Sequence, residues 1–315
     1  MSIRVIKVIF MGTPDYAKII LKKILEDRNF EVELVVTQPD RAVGRAKVLT
    51  PPPVKKLAMD FSLKVTQPTT LKNRALISQI SSLKPDFIVV AAYGQILPKE
   101  ILTIAPCINL HASLLPKYRG ASPVQEAILN GDRFSGVTAM VMEEGLDSGN
   151  MLSFSYTKLS KDIRVDELMD RLSFMAGDLI LSTLKEFNNL VPIPQFHCNA
   201  SYCKKVKRVD GLIDLNLSAE EVYRKFRAFY GWPSIFFDNG LKLLDINIVD
   251  NGNDKSEFRR DEDVGKILEI RDNSVVVAFK KGSIEIQTLQ PKGKRAMSGK
   301  AFLVGRGLKV GDKIF

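Results

Sequence analysis

Cysteine is scarce and badly placed for pairing. The three present, Cys107, Cys198 and Cys203, form no Cys-x-x-Cys pair and leave an odd number. That excludes a disulfide framework and a zinc knuckle, and it makes a reducing, cytoplasmic compartment the expectation. Histidine is scarcer still: His111 and His197 are the only two, so any imidazole chemistry falls to one of them. No apolar run approaches the ~20 residues that cross a bilayer, and no membrane partner is expected. The opening MSIRVIKVIFMG is followed by no small-residue cleavage site and reads as a first buried strand rather than a signal peptide. Neither Gly-x-Gly-x-x-Gly nor Gly-x-x-x-x-Gly-Lys-Ser/Thr occurs, which leaves dinucleotide and P-loop chemistry unsupported. Internal repeats and low-complexity tracts are missing too.

What is present has the proportions of a soluble globular protein: 315 residues, 45% hydrophobic and 26% charged. That length accommodates two domains, each with its own core. The formal net charge is +10, and the stretch from Lys204 onward carries 22 basic against 16 acidic residues. The excess is therefore concentrated in the C-terminal third, as suits a polyanionic partner.

Apolar runs at Arg4–Gly12, Val32–Val36, Asp86–Ala92, Cys107–Leu110 and Gly136–Met142 alternate with helical patterns. This alternation predicts a doubly wound, mostly parallel α/β sheet to about Leu190. Asn188–Tyr202, with Pro192 and Pro194, reads as a linker, and His197 as a linker residue that chemistry can spare. Beyond it, Ser218 with Glu221 three later predicts a capped helix. Short strands follow at Ile235–Phe237, Leu241–Val249, Gly265–Arg271, Ser274–Phe279 and Ser283–Leu289, the pattern of a small β-barrel. The charge-rich patch Asp254–Asp263 reads as a solvated hairpin tip.

Polar chemistry gathers in INLHASLLPKYRGASP, residues 108–123. Asn109 and His111 are two apart at the end of an apolar run, so a strand places both on one face. An acid, Asp147, stands between glycines in Gly145-Leu146-Asp147-Ser148-Gly149. On position alone His111 reads as a satisfied strand-end histidine; the Asn-x-His pair and the later acid turn the reading toward chemistry. An amide, an imidazole and a carboxylate suffice for acyl or formyl transfer without a covalent enzyme intermediate. A second feature is the stretch from Gln38 to Pro53, too long for an ordinary strand-to-helix connection. Near it lie Arg41, Arg45, Lys47, Lys55 and Lys56 against a single acid, Asp40. It reads either as a solvated loop or as a mobile arm that grips phosphates.

NLHASLLPKYRGASP, taken with GLDSGNM, resembles the signature of the 10-formyltetrahydrofolate-dependent formyltransferases. The likeness runs nearly end to end, through VIFMGTPDYA, QPDRAVGR, VVAAYGQILP and PKGKRAMSG; Asn150 departs from it, standing where the family often has an acid. The resemblance implies a Rossmann-like catalytic domain over 1–190 with a tRNA-contacting loop at 38–53, a linker at 191–207, and an OB-like tRNA-binding barrel over 208–315. It implies catalysis by Asn109, His111 and Asp147, with Asn109, aided by His111, donating to the formyl oxygen. Asp147 would orient His111 and collect the amine proton. Folate contacts carry over onto Tyr93, Gly94, Leu97, Ser113, Leu114, Leu115 and Pro116, and tRNA contacts onto Arg41, Arg45 and Lys47. The implied reaction moves a formyl group from 10-formyltetrahydrofolate to the α-amine of initiator methionyl-tRNA, with no metal, on a monomer. Two alternatives stay open: a relative acting on a small amine such as an amino sugar or a purine precursor, and a non-enzymatic RNA-binding protein that kept the fold.

Overall fold

An apolar heptapeptide broken only by Lys7, Ile6–Gly12 (β1), forms an inner strand of the main sheet in this computed structural model, which describes residues 4–44, 46–249 and 260–315. From Val8 onward each of its residues is buried, as in a parallel strand covered on both faces. The chain turns at Pro14 into α1 (Asp15–Glu26), whose buried stripe is Tyr16, Ala17, Ile20, Leu21 and Ile24. There follow β2 (Phe30–Val36), a hairpin of β3 (Arg41–Val43) and β4 (Val48–Thr50), and α2 (Pro53–Asp60), which starts on a proline suited to the first helical position. Next come β5 (Val65–Thr66), α3 (Arg74–Ser82), β6 (Phe87–Ala91), α4 (Lys99–Leu102) and β7 (Cys107–His111). Asn73 caps α3, its side chain accepting from the amides of Ala75 and Leu76. After these come β8 (Arg119–Gly120), α5 (Pro123–Leu129), β9 (Phe134–Val141), β10 (Met151–Lys158), α6 (Val165–Lys185) and β11 (Tyr202–Cys203), of which most of α5 belongs to the second unit.

The main sheet runs β10-β9-β7-β6-β1-β2-β5. Strands β5, β2, β1, β6 and β7 are parallel, so the expectation of a mostly parallel sheet holds. The sheet departs from it at β9, expected to run with β7 and to deliver residues 143–149 to the carboxyl end. Instead β9 is antiparallel, with Val141 opposite Ile108 and Thr138 opposite His111, so those residues set out beside the amino end of β7. A fully buried strand has the same burial pattern in either direction, which is why its sequence carried no sign of this. One face of the sheet is sealed by Ile9, Met11, Leu34, Val36, Ile88 and Val90 against Leu76, Ile80 and Ile101 from the helices.

The second unit comprises residues 125–132, 160–166 and 205–315. Its helix α7 (Ala219–Ala228) has the expected capping box: Glu221 N–H donates to Ser218 Oγ at 3.2 Å, and Ser218 N–H to Glu221 Oε2 at 2.7 Å. After it come β12 (Ile235–Phe236), β13 (Lys242–Val249), β14 (Ile267–Ile270), β15 (Val275–Ala278), β16 (Ser283–Gln290), β17 (Met297–Ser298) and α8 (Gly299–Val304). The strands pair antiparallel in the order β12-β13-β16-β15-β14, with β17 also on β16. Most of the expected hairpin tip, residues 254–259, lies outside the described residues. Segment 160–166 belongs to this unit because Tyr223 donates to Asp162 at 3.0 Å and the buried Arg227 to the Ile163 carbonyl at 3.3 Å. Residues 191–204, read from sequence as linker, group with the first unit. No helix among the described residues is long and apolar enough to cross a membrane.

Candidate active site

The pleat of β7 puts Asn109 and His111 on the same face, and both are buried, at 8% and 6% exposed. His111 Nε2 lies 2.8 Å from the Tyr118 carbonyl. A carbonyl can only accept, so Nε2 carries the hydrogen and Nδ1 is the open position of the neutral ring. Nδ1 faces Asp147 Oδ2 at 3.6 Å, beyond hydrogen-bond length. Asp147 is held elsewhere: Gly120 N–H donates to its Oδ2 at 2.8 Å, and Asn109 Nδ2 to its Oδ1 at 3.4 Å. The structure thus brings the three expected residues together. His111 is hydrogen-bonded to the Tyr118 carbonyl, while Asp147, expected to orient it, stands at 3.6 Å. The Asp147 turn explains its glycines. Asp147 itself is left-handed, at φ +49°, which aspartate tolerates better than most residues; a Cβ on Gly149 would collide with the Val141 carbonyl oxygen.

Sequence reasoning missed Gln195, Arg119 and Gly120. The supposed linker is a strap: β11 pairs with β8, Tyr202 opposite Arg119 and Cys203 opposite Gly120. Gly120 sits at φ +119°, and a Cβ there would collide with the Cys203 carbonyl oxygen. Arg119 is buried and donates to Gln195 Oε1, while Gln195 in turn donates to the Asp147 and Gly149 carbonyls. His197, read from sequence as a linker residue that chemistry can spare, accepts from Arg119 Nη1 through Nδ1 at 3.2 Å. Arg119 follows Lys117 and reads from sequence as one more surface cation; only its burial in the structure shows that it needs partners.

Of the residues carried over as folate contacts, several are occupied structurally. Ser113 Oγ donates to the Lys117 carbonyl at 2.6 Å, and the Ser113 carbonyl accepts from Thr138 Oγ1 at 2.7 Å, closing the turn that holds Leu115 and Pro116. Leu114 packs over Gly136. The side chains of Tyr93 and Leu97 are buried in the core. Gly94 is different: it is open, with nothing within 4 Å of where a side chain would begin, and Ile96 beside it is 86% exposed. The Tyr93 hydroxyl is buried without a partner, and burial pushes the phenol up to about 12. Because an unpaired buried hydroxyl costs about 1–3 kcal/mol, Tyr93→Phe is expected to raise stability by about 1 kcal/mol. Urea unfolding measures this, and the folate KM should not move, because the ring faces the core.

The basic loop is an ordered hairpin at its base. Arg41 pairs with Thr50 and Val43 with Val48 across β3 and β4, and both strands are largely exposed. Asp40 accepts from Lys55 Nζ at 2.8 Å and from Gln67 Nε2 at 2.7 Å, which lowers its carboxyl below the usual range. Lys55 is therefore committed to that contact. Arg41 and Lys47 project into solvent. Arg45 lies outside the described residues.

The formyl transferase family matches residues 3–184, which hold Asn109, His111 and Asp147, and its C-terminal domain matches residues 205–307. The chain belongs to the formyl transferase family. A relative from a Nitratiruptor species, named methionyl-tRNA formyltransferase, is 51% identical over 311 residues, covering 98% of this chain and 100% of its own. Two solved structures share the fold. One is an N-formyltransferase from Helicobacter canadensis in complex with folinic acid and dTDP-3-aminofucose (TM-score 0.66, 18% identity, 90% of this chain and 99% of the other). The other is HypX from Aquifex aeolicus in complex with tetrahydrofolic acid (TM-score 0.62, 17% identity, 96% of this chain and 47% of the other).

Proposed function

We propose that this protein transfers the formyl group of 10-formyltetrahydrofolate to the α-amine of initiator methionyl-tRNA. The observation that carries the reading is the convergence of Asn109 Nδ2 and His111 Nδ1 on the Asp147 carboxylate, at 3.4 and 3.6 Å. The full-length relative at 51% identity favours charged tRNA over an amino sugar as acceptor.

The folate supplies the activated formyl group, and the chain's exposed edge after β6 suits a flat heterocycle. Val90 pairs with Asn109, so the loop that begins two residues later starts beside the catalytic strand. There Gly94 leaves open space and Ile96 an exposed apolar wall. The acceptor is an α-amine with an ordinary pKa near 8, so a good fraction is already neutral at physiological pH. Three demands remain: charge on the formyl oxygen, a proton leaving the amine, and a proton for the folate nitrogen as its bond to the formyl carbon breaks. Asn109 Nδ2 donates to the oxygen, a contribution worth ~2.7–4 kcal/mol of barrier for one such donor. His111 takes the proton at Nδ1, because the Tyr118 carbonyl holds its other nitrogen as N–H. Once charged, the imidazolium faces Asp147 and returns the proton from Nδ1 to the folate nitrogen as the bond between that nitrogen and the formyl carbon breaks, which releases tetrahydrofolate and the formylated amine.

RNA contact falls to the hairpin and to the basic turn of Lys292, Lys294 and Arg295, all exposed. Guanidinium forks suit phosphates and base edges. Replacing Arg41, Arg45 and Lys47 together by alanine is expected to lower kcat/KM for charged tRNA at least tenfold, about 1.4 kcal/mol, while the folate KM stays put. Varying tRNA at saturating folate measures it, and the wild-type effect should weaken as salt rises. The function itself is tested by offering the protein 10-formyltetrahydrofolate with charged initiator tRNA and, in parallel, a nucleotide-linked amino sugar. Formylation of the sugar alone overturns the reading.

A further inference from the structure

We propose that Gln195 is a positioning residue, holding the Asp147 turn against β7 while Arg119 holds Gln195; this rests on the formyl-transfer reading above. The basis is a chain of hydrogen bonds whose members cannot trade roles. Gln195 is 6% exposed, and its Nε2 donates to the carbonyls of Asp147 and Gly149 at 2.9 and 2.8 Å. A side-chain amide has two N–H donors, so both are used. Its Oε1 accepts from Arg119 Nε and Nη2 at 3.0 and 2.8 Å. That fixes the amide's orientation: turned over, it would set its NH₂ against a guanidinium and its oxygen against two carbonyls.

Arg119 is 1% exposed and meets no carboxylate among the described residues. Its remaining partners are His197 Nδ1 at 3.2 Å, the Tyr202 hydroxyl at 3.4 Å and the Tyr202 ring at 5.9 Å. Burying a guanidinium with only neutral partners is unfavourable for stability, so the arrangement calls for another use, and Asp147 supplies it. The residue is left-handed, at φ +49°, a conformation that persists only where its surroundings impose it. Its carbonyl is one of the two that Gln195 grips, and its carboxylate is gripped by Gly120 N–H. The two-residue strand β8 therefore secures both ends of the acid, Arg119 through Gln195 and Gly120 directly. A misplacement of about 1 Å at a reacting group can cost about 10²-fold in rate.

Gln195→Glu separates positioning from folding. The new carboxylate still accepts from Arg119 and gives it a counter-ion, but it has no N–H for the Asp147 and Gly149 carbonyls. Expected are a kcat at least about tenfold lower per folded molecule and KM values for folate and tRNA within about threefold of wild type, with the Tm lost where the second carboxylate oxygen meets the two carbonyls partly offset by the counter-ion given to Arg119. Amide exchange over residues 145–150 should be faster than in wild type. A purely structural role would lower Tm and leave kcat of the folded protein intact. Wild-type kcat in the variant, or 145–150 amides that exchange as slowly as in wild type, overturns the proposal. Should Gln195→Glu not fold, Gln195→Met, which keeps the length and removes the amide, is measured in the same way. Wild-type protein inactive on charged tRNA would sink the functional reading alone, because the exchange comparison still decides the positioning role.

Discussion

Replacing His111 by alanine is expected to lower kcat by about 10²-fold or more while the protein stays folded. The magnitude follows from what the ring does at each nitrogen. Nε2 is engaged by the Tyr118 carbonyl at 2.8 Å, which leaves Nδ1 as the group that accepts the amine proton and then donates. Alanine removes both functions. It also opens a cavity at a site that is 6% exposed, so some loss of Tm is expected and the folded fraction must be measured beside the rate. His111→Gln resolves the ambiguity. Its amide can still donate to the Tyr118 carbonyl and fill most of the space, yet it has no basic nitrogen to take a proton. Both variants should lose rate to a similar extent, with the glutamine form keeping nearly all the stability. A glutamine variant with most of its kcat would remove His111 from proton transfer and leave the barrier to Asn109 and substrate alignment.

How far the site was legible depended on the range of each interaction. The Asn109–His111 pair was legible because strand period two is local: two positions apart means one face, whatever the rest of the chain does. Ser218 and Glu221 were legible for the same reason, a cap being complete within four residues. Asp147 could be singled out only through the glycines around it, one of which, Gly149, is set by the close approach of the Val141 carbonyl. The direction of β9 was not legible, since a run of buried residues reads alike both ways; Asp147 was thus expected at a strand end rather than approaching from beside the amino end of β7. Gln195 escaped entirely. Its partners, Arg119 and Asp147, are 76 and 48 residues away, and a glutamine between proline and phenylalanine has no local pattern to betray it. The same distance hid the partner of His197, and with it the strap that the prolines made look like a linker. The unit boundaries were blurred likewise, because segments 125–132 and 160–166 join a unit that mostly follows them by dozens of residues.

Asp147→Asn should be among the most damaging substitutions that leave the fold alone, with kcat falling by about 10²–10³-fold, or ~2.7–4.1 kcal/mol. The asparagine oxygen can still accept from Gly120 N–H, the contact made now at 2.8 Å, and its volume is unchanged, so Tm should scarcely move. What disappears is the negative charge 3.6 Å from His111 Nδ1. At an effective dielectric constant of about 20, a full charge at that range interacts by ~4–5 kcal/mol with an imidazolium. The attraction exists only after the proton has moved, so its loss falls on the transition state and lowers kcat rather than raising KM. The new amide group adds a second penalty, because its N–H donors would face Asn109 Nδ2 or compete for His111 Nδ1. Asp147→Glu is the informative partner variant: it keeps the charge but lengthens the side chain, disturbing the grip of Gly120. If charge dominates, the glutamate form should recover part of the activity that asparagine loses; if placement dominates, both should be equally poor. Single-turnover rates with charged tRNA at saturating folate separate these outcomes. An asparagine variant within about threefold of wild type would show that the imidazolium needs no counter-ion, and the acid would be left with a purely architectural part.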